Sequence, residues 1–431
     1  MKIICLLPQG SRLGPLLFII YINDITVNIE SDILIFADDT SLLVSGKSSQ
    51  ETAKVLNRDL KRIDEWSMKW KVLFNADKSE EIVFSKTNSI NNTPLLLNGE
   101  QIKQVKNHKH LGIIFSHNLD WSAQVHSVCQ KANRKLAVLR SVKMLKRHTL
   151  DLLYKLTVRS CIDYALPVYY HSLKVTDRAK LSQIQYTAGK VVCGALHCTS
   201  KQKVNTELSW ESIEDRAHFL GLSLFHKIAI GCTRPLIRDC LPTRKINPET
   251  LRSGSFHQFP YAGEKFSKSF FPFFTKKYNN LPHKVRNLSI EDFKLQLSDQ
   301  IKPKKHKHYA YSYNKYANVL LTRVRIGYSY LTAHSFTTGH TTTNICPYCL
   351  GRKPETSAHY ITVCPYFAEM RKILYDQIEQ NFIPNFKKLS NKRQYEILVY
   401  GYDPDNPELK QINGKIMLLT QTYIMKTKRF K

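Results

Sequence analysis

The apolar and polar positions alternate in blocks that change period along the chain. Ile33, Leu34, Ile35, Phe36 and Ala37 run into Asp38-Asp39, and Leu42, Leu43 and Val44 follow Thr40-Ser41. Short apolar runs split by polar residues predict a tight hairpin of two buried strands, with two carboxylates at its tip. Upstream, residues 13–25 predict a helix with Pro15 in its first turn, and Leu16, Leu17, Ile19, Ile20 and Ile22 read as core. Downstream, Leu56, Leu60, Ile63, Trp66 and Trp70 recur at spacings of three and four, which predicts an amphipathic helix over 51–71. Lys54, Arg58, Lys61 and Arg62 then fall on its solvated face. Residues 72–74, 81–84 and 110–115 read as strands. Asn98-Gly99 between 94–97 and 101–105 predicts a hairpin, because that pair suits the turn such hairpins need.

Beyond residue 121 the period becomes helical. Val125, Val128, Ala132, Leu136, Leu139 and Val142 form one face, while Lys131, Arg134, Lys135, Arg140, Lys143, Lys146 and Arg147 populate the rest. Thr149 is a candidate cap for a second helix running towards Tyr164, and Thr176 for a third with Leu181, Ile184, Val191 and Val192 inward. A fourth covers 213–230. Residues 232–300 are rich in proline and aromatics. A basic-aromatic stretch follows at 302–316, readable as an RNA contact, an import signal or a solvated linker. The tail, 412–431, predicts a helix with a basic end. The chain shows no internal repeat.

Charge changes the picture more than composition does. The hydrophobic fraction of 42% supports ordinary cores, and 431 residues suggest two to four domains. The formal net charge of +29 argues for a polyanionic partner, with nucleic acid ahead of an anionic membrane surface. No run reaches the ~18 apolar residues of a membrane span. The apolar start is broken by Pro8-Gln-Gly-Ser-Arg12, too early for a signal peptide. Ten cysteines without a secretory signal read as reduced thiols.

Two constellations carry chemistry. Adjacent carboxylates on a hairpin repel unless a cation neutralises them, and hard oxygen ligands suit Mg²⁺ or Mn²⁺. Alone, Asp38-Asp39 reads first as a solvated turn, and only its flanks change that reading. Near the other end, Cys346, Cys349, His359 and Cys364 form C-x₂-C-x₉-H-x₄-C, three thiolates and an imidazole sufficient for a tetrahedral Zn²⁺ site. His359 and Cys364 are expected about one helical turn apart. His334 and His340 are the rival ligands.

The order of motifs resembles one family. Leu7-Pro-Gln-Gly-Ser-Arg-Leu-Gly-Pro15, then Phe36-Ala-Asp-Asp39, then Trp70 with Asn75 and Lys78, is similar to the palm of reverse transcriptases of non-LTR, LINE-type, jockey-like retrotransposons. Residues 111–121 resemble the family's palm-to-thumb segment. Residues 266–294 resemble a segment downstream of the polymerase, where the family usually has Trp at the place of Tyr278. Residues 331–371 resemble the family's zinc segment. The resemblance implies Asp38 and Asp39 as the metal-binding pair and Lys78 as a lysine near the triphosphate. It implies Gln9 and Gly10 in the loop beside the templating base and incoming nucleotide. The family's third carboxylate lies on a strand before the PQG loop, and Met1 to Leu7 contain no Asp or Glu.

These readings combine into an α+β expectation. A partial palm at 1–116, an antiparallel sheet with helices, precedes a helical thumb at 117–232. A linker and poorly assigned middle at 233–330 precedes a mostly helical zinc-binding region at 331–431. The implied activity is RNA-directed DNA synthesis by two-metal nucleotidyl transfer. Its partners are an RNA template, a DNA primer or target and deoxynucleoside triphosphates, without a membrane. The chain alone, lacking the fingers and first Asp strand, is expected to be inactive. The alternatives are a non-catalytic nucleic-acid-binding protein and a decayed element, with the compartment left open.

Overall fold

The computed structural model describes residues 13–85, 93–243, 255–301, 314–349 and 351–430. It divides into two units, Met1–Gln124 and Val125–Lys431. Helix and small sheets mix as an α+β fold.

In the first unit, helix α1 (Leu13–Ile22) is apolar on every side. Only Ile22 is buried, with Phe18 half-buried beside it, in a cluster with Ile25 and Ile63. Leu16, Leu17, Ile19 and Ile20 are exposed, contrary to the core expectation. A helix apolar all round needs cover on several sides, and among the described residues its partners lie on one. Strands β1 (Asp32–Phe36) and β2 (Asp39–Leu43) form the expected hairpin, Phe36 paired with Asp39 and Ile33 with Leu42. They are not buried on both faces. Ile33 and Ile35 join the Ile63 cluster, whereas Leu34 and Phe36 face outward, Phe36 at 63% exposure.

Helix α2 (Ser49–Trp70) starts where Ser48 caps it by accepting from Glu51 N–H at 3.2 Å. Leu60 and Ile63 are buried as the spacing predicts, and full burial of each contributes about 2 kcal/mol. The predicted strand at 72–74 is irregular, and that at 81–84 reduces to β3 (Glu80–Glu81), parallel to Lys103–Gln104. The Asn98-Gly99 turn joins Leu96–Leu97 to Glu100–Gln101 as expected. The strand expected at 110–115 is two strands, Asn107–His110 and Ile113–Ser116, because Leu111 (φ 46°) and Gly112 (φ 83°) both take the left-handed conformation that a two-residue hairpin turn requires.

The second unit is helical. Helix α3 (Ser122–Ser141) buries Val125, Val128, Ala132, Leu136 and Leu139 along the predicted face. The next helix starts at Arg147, not Thr149, and continues through a π turn, Tyr154–Arg159. The third is Val175–Cys193, entered from Lys174 without a side-chain cap from Thr176. The fourth, Ile213–Ala229, is capped by Ser212, which accepts from Asp215 N–H at 3.0 Å.

The helix Phe270–Asn279 packs on Ile213–Ala229, with Phe225, Phe274, Tyr278 and Phe293 in one cluster. Gly221 makes this possible, since a Cβ there would lie 1.9 Å from the Phe274 ring. Tyr278 also gains a role. His226 Nε2 faces the Leu288 carbonyl at 3.0 Å and so carries the proton, leaving Nδ1 to accept from the Tyr278 hydroxyl at 3.0 Å. Elsewhere Glu207, 3% exposed, accepts from Arg147 at 2.7 Å and Arg325 at 2.9 Å, tying Lys201–Leu208 to Lys315–Arg325. A carboxylate buried this deeply is stable only when such partners compensate its lost hydration.

Candidate active site and metal centre

The carboxylate pair sits at the end of the β1–β2 hairpin. Asp38 lies in the two-residue turn after Ala37, whose φ of 53° is unusual for a side-chain-bearing residue. Asp39 opens β2. Both are exposed, and among the described residues neither makes an ion pair or a side-chain hydrogen bond. Nor do they form part of a three-donor group with another His, Cys, Asp or Glu. Two donors fit part of a divalent-cation shell.

The hairpin is held from behind by a residue the sequence reading passed over. Asp59 of α2 is fully buried and accepts from Glu30 N–H at 3.0 Å and Ser31 N–H at 2.8 Å, fixing the chain where it enters β1. Arg62 pairs with Asp59 at 3.0 Å and with Glu30 at 3.1 Å. Burial pushes the Asp59 carboxyl up, but the two backbone N–H groups and then Ser31 and Arg62 outweigh it and hold the pKa below the usual value. The signal was there: an acidic residue beside Leu60 on the apolar face of an amphipathic helix must find a partner inside.

Lys78 ends the one-turn helix Ala76–Lys78, which Asn75 caps by accepting Lys78 N–H at 3.2 Å. Its side chain is exposed and unpaired with Asp38 or Asp39 among the described residues. Gln9 and Gly10 lie outside the described residues. Asp120 accepts Ser122 N–H at 2.8 Å at the start of α3, a capping role.

The thiolate cluster is built differently. Cys346, Cys349, His359 and Cys364 bring their ligand atoms within 4.8 Å of one another. Cys346 and Cys364 sulfurs are 3.8 Å apart, and Cys349 Sγ lies 3.4 Å from His359 Nε2. Zn–S bonds of about 2.3 Å at tetrahedral angles place two sulfurs about 3.8 Å apart and sulfur and imidazole nitrogen about 3.6 Å apart. The donor set therefore fits a tetrahedral soft-metal site. His359 and Cys364 meet because His359–Val363 is a π turn, closed by Cys364 N–H on the His359 carbonyl at 2.8 Å. A five-residue separation is one turn of a π-helix. His334 and His340 are outside this group.

The shell around the cluster is hydrogen-bonded. Cys346 N–H donates to the Lys353 carbonyl at 2.9 Å, and Arg371 donates to the Cys364 carbonyl at 3.0 Å. Glu355, fully buried, accepts from Thr332 N–H at 2.8 Å and takes both Nε and Nη2 of Arg429 at 2.6 Å. Phe430 is buried against the Tyr360 ring. The basic tail thus gives one of its charges to the fold. Burial pushes the Cys346 thiol up to about 12 and the Cys364 thiol up as well, and holds His359 below its ordinary value. A bound cation reverses the thiol preference by stabilising thiolate.

Residues 2–115 match the family described as reverse transcriptase (RNA-dependent DNA polymerase). Those residues carry reverse-transcriptase sequence. The "RNA-directed DNA polymerase from mobile element jockey" of Drosophila melanogaster is 31% identical over 199 residues, 43% of this chain and 21% of that protein. The protein of the same name from Drosophila funebris is 27% identical over 226 residues, 48% of this chain and 24% of its own length. A "Retrovirus-related Pol polyprotein from type-1 retrotransposable element R1" of Bradysia coprophila is 25% identical over 216 residues, 47% of this chain and 22% of that protein. The chain's matches span under a quarter of the length of each of these relatives. Among the described residues no helix is long and apolar enough to cross a membrane.

Proposed function

We propose that this chain contributes the Asp38-Asp39 hairpin and the regions following it to an RNA-directed DNA polymerase of a non-LTR retrotransposon. The observation that carries the reading is the coincidence of the matched family segment with a rigidly anchored hairpin presenting two uncommitted carboxylates. On this reading residues 1–116 are part of a palm, 117–232 a thumb, 233–330 a connecting region and 331–431 a zinc-binding region. Asp38 and Asp39 would hold Mg²⁺ or Mn²⁺, which supplies charge neutralisation at the phosphates during nucleotidyl transfer. Lys78, Gln9 and Gly10 would face the nucleotide and template. Cys346, Cys349, His359 and Cys364 would hold Zn²⁺ as a structural ion. RNA template and DNA primer or target would be bound through the +29 formal charge.

The chain alone is proposed not to extend a primer, because two carboxylates leave a two-metal site incomplete. The test is primer extension on an RNA template with Mg²⁺, using the chain alone and fused behind the fingers and first palm strand of a related element. Synthesis by the fusion only, abolished by Asp38→Asn or Asp39→Asn, supports the reading. Synthesis by the unfused chain overturns the claim of inactivity, and an inactive fusion that still binds template overturns the polymerase reading. Affinity for RNA should fall steeply with salt, and a salt-independent affinity would count against a nucleic-acid partner.

A further inference from the structure

A second group of sulfur and nitrogen donors lies where the loop after Val175–Cys193 meets residues 334–340. Cys198 Sγ is 3.9 Å from His334 Nε2. His334 Nδ1 faces the Ser329 carbonyl at 2.7 Å. A carbonyl only accepts, so Nδ1 carries the hydrogen, and the neutral ring presents the Nε2 lone pair to the thiol. His340 repeats the arrangement, with Nδ1 on the Thr338 carbonyl at 2.9 Å. Its ring lies 6.2 Å from that of His197, the chain neighbour of Cys198. An imidazole whose Nδ1–H is engaged by a carbonyl, leaving Nε2 as donor, is the arrangement that metal-ligating histidines adopt.

The sulfur-to-nitrogen separation is a few tenths of an ångström above the roughly 3.6 Å edge of a tetrahedral zinc site. The donors are less tightly gathered than at Cys346, the only place among the described residues where three or more lie within 4.8 Å of one another. His197 and His340 are exposed, and a closed site requires their side chains to rotate inward. Around the pair, the Tyr328 ring packs edge-on to His334 with centroids 4.3 Å apart. The nearby cation, Lys203, is turned towards the Ile326 carbonyl at 3.0 Å and the Tyr328 ring.

We propose that Cys198, His334, His340 and His197 form a second site for a late first-row divalent cation, with one thiolate and imidazole nitrogens as ligands. Mixed sulfur and imidazole donors suit Zn²⁺. Because two of its ligands must swing in, this site is weaker and exchanges faster than the Cys346 cluster. It would fasten the loop between Val175–Cys193 and Lys201–Leu208 to the helix Thr332–Thr337, joining segments far apart in the chain.

The test is a titration of the metal-free full chain with Zn²⁺ against a competing chelator, followed by metal analysis. Two equivalents are expected in the native chain, the second lost to the weaker chelator. His334→Asn and Cys198→Ser should each take one tight equivalent, and Cys349→Ser should lose the tight one. His340→Asn changes an exposed side chain, so misfolding does not obscure it, and it should weaken the second equivalent about tenfold or more. A single equivalent that Cys349→Ser removes and His334→Asn leaves, or two undiminished equivalents in both His334→Asn and Cys198→Ser, overturns the proposal. An equivalent that survives in Cys349→Ser but vanishes in His334→Asn would instead sink the Cys346 assignment and leave this one standing.

Discussion

The two sites differ in how much of their order the protein itself supplies. At the thiolate cluster all four donors are already at ligand spacing, the backbone around them is hydrogen-bonded, and Glu355 and Arg429 brace the segment from inside. At the carboxylate hairpin the support is equally firm, through Asp59, but the acidic groups project into solvent with no third donor beside them among the described residues. A structural metal site is finished by its own chain, and its contribution appears as folding free energy. On the proposed reading the hairpin serves metal, nucleotide and primer, and such a site must stay open, so its protein part looks incomplete in isolation.

The largest effect that would sharpen this contrast is metal loss at the cluster. Cys349→Ser should remove one tightly held zinc per chain and render residues 331–430 sensitive to protease. Structural zinc contributes an apparent binding free energy of about 10–16 kcal/mol in small zinc domains. Asp39→Asn, by comparison, should leave the melting temperature unchanged, because an exposed side chain away from special features shifts stability by about 0.5 kcal/mol or less. An equal loss of stability in the two variants would erase the distinction.

Next in size comes Gly221→Ala. Its methyl group would enter the space of the Phe274 ring, so the helix Ile213–Ala229 must move away from Phe270–Asn279. A cost of about 3 kcal/mol is expected, at the upper end of overpacking effects. Phe274→Leu should recover part of it in a denaturant-melt comparison of the double variant.

Asp59→Asn addresses the hairpin's support. Losing the charge that binds two backbone N–H groups should cost about 2 kcal/mol, the range for hydrogen bonds to an ionised group. The pH dependence has a definite sign. The folded-state pKa is lowered, so this stability is fully present above the unfolded carboxyl's pKa near 3.8 and is lost as pH falls through the folded value. In Asp59→Asn that part of the acid-induced loss should vanish, as read by fluorescence of Trp66 and Trp70.

The smallest effect concerns the turn. Ala37→Gly relieves a left-handed conformation and should raise hairpin stability by about 1 kcal/mol, measured by hydrogen exchange at Ile35 and Thr40. A destabilised variant would mean that the Ala37 methyl makes a contact of its own.

What could be read from the sequence follows from which interactions are local. The helices at 49–70, 122–141 and 213–229 announce themselves by period, and the four-donor Cys346 cluster by the spacing of its cysteines and histidine. The Asn98-Gly99 hairpin is local chemistry too. The misreadings arise where a partner decides. Leu16, Leu17, Ile19 and Ile20 look like core, yet burial depends on what lies opposite, and no periodicity states that. Leu111-Gly112 turns a predicted strand into a hairpin because one non-glycine residue accepts a positive φ. Thr149 and Thr176 are good caps by type, but the preceding residues already take up the helix entry. Asp59, Glu207 and Glu355 act across 28, 118 and 74 residues, separations at which single residues leave no pattern.

The Glu355–Arg429 pair sets an order of events during synthesis. A ribosome makes Glu355 and the four cysteine and histidine ligands well before Arg429 and Phe430. Until those last contacts exist, Glu355 is a carboxylate bound for the interior without its cation, and the Tyr360 ring lacks its cover. The segment around the thiol cluster therefore cannot close while its four donors first emerge. It matures late, and a nascent chain stalled before Arg429 would present a half-shielded thiol set to the cell's chaperones.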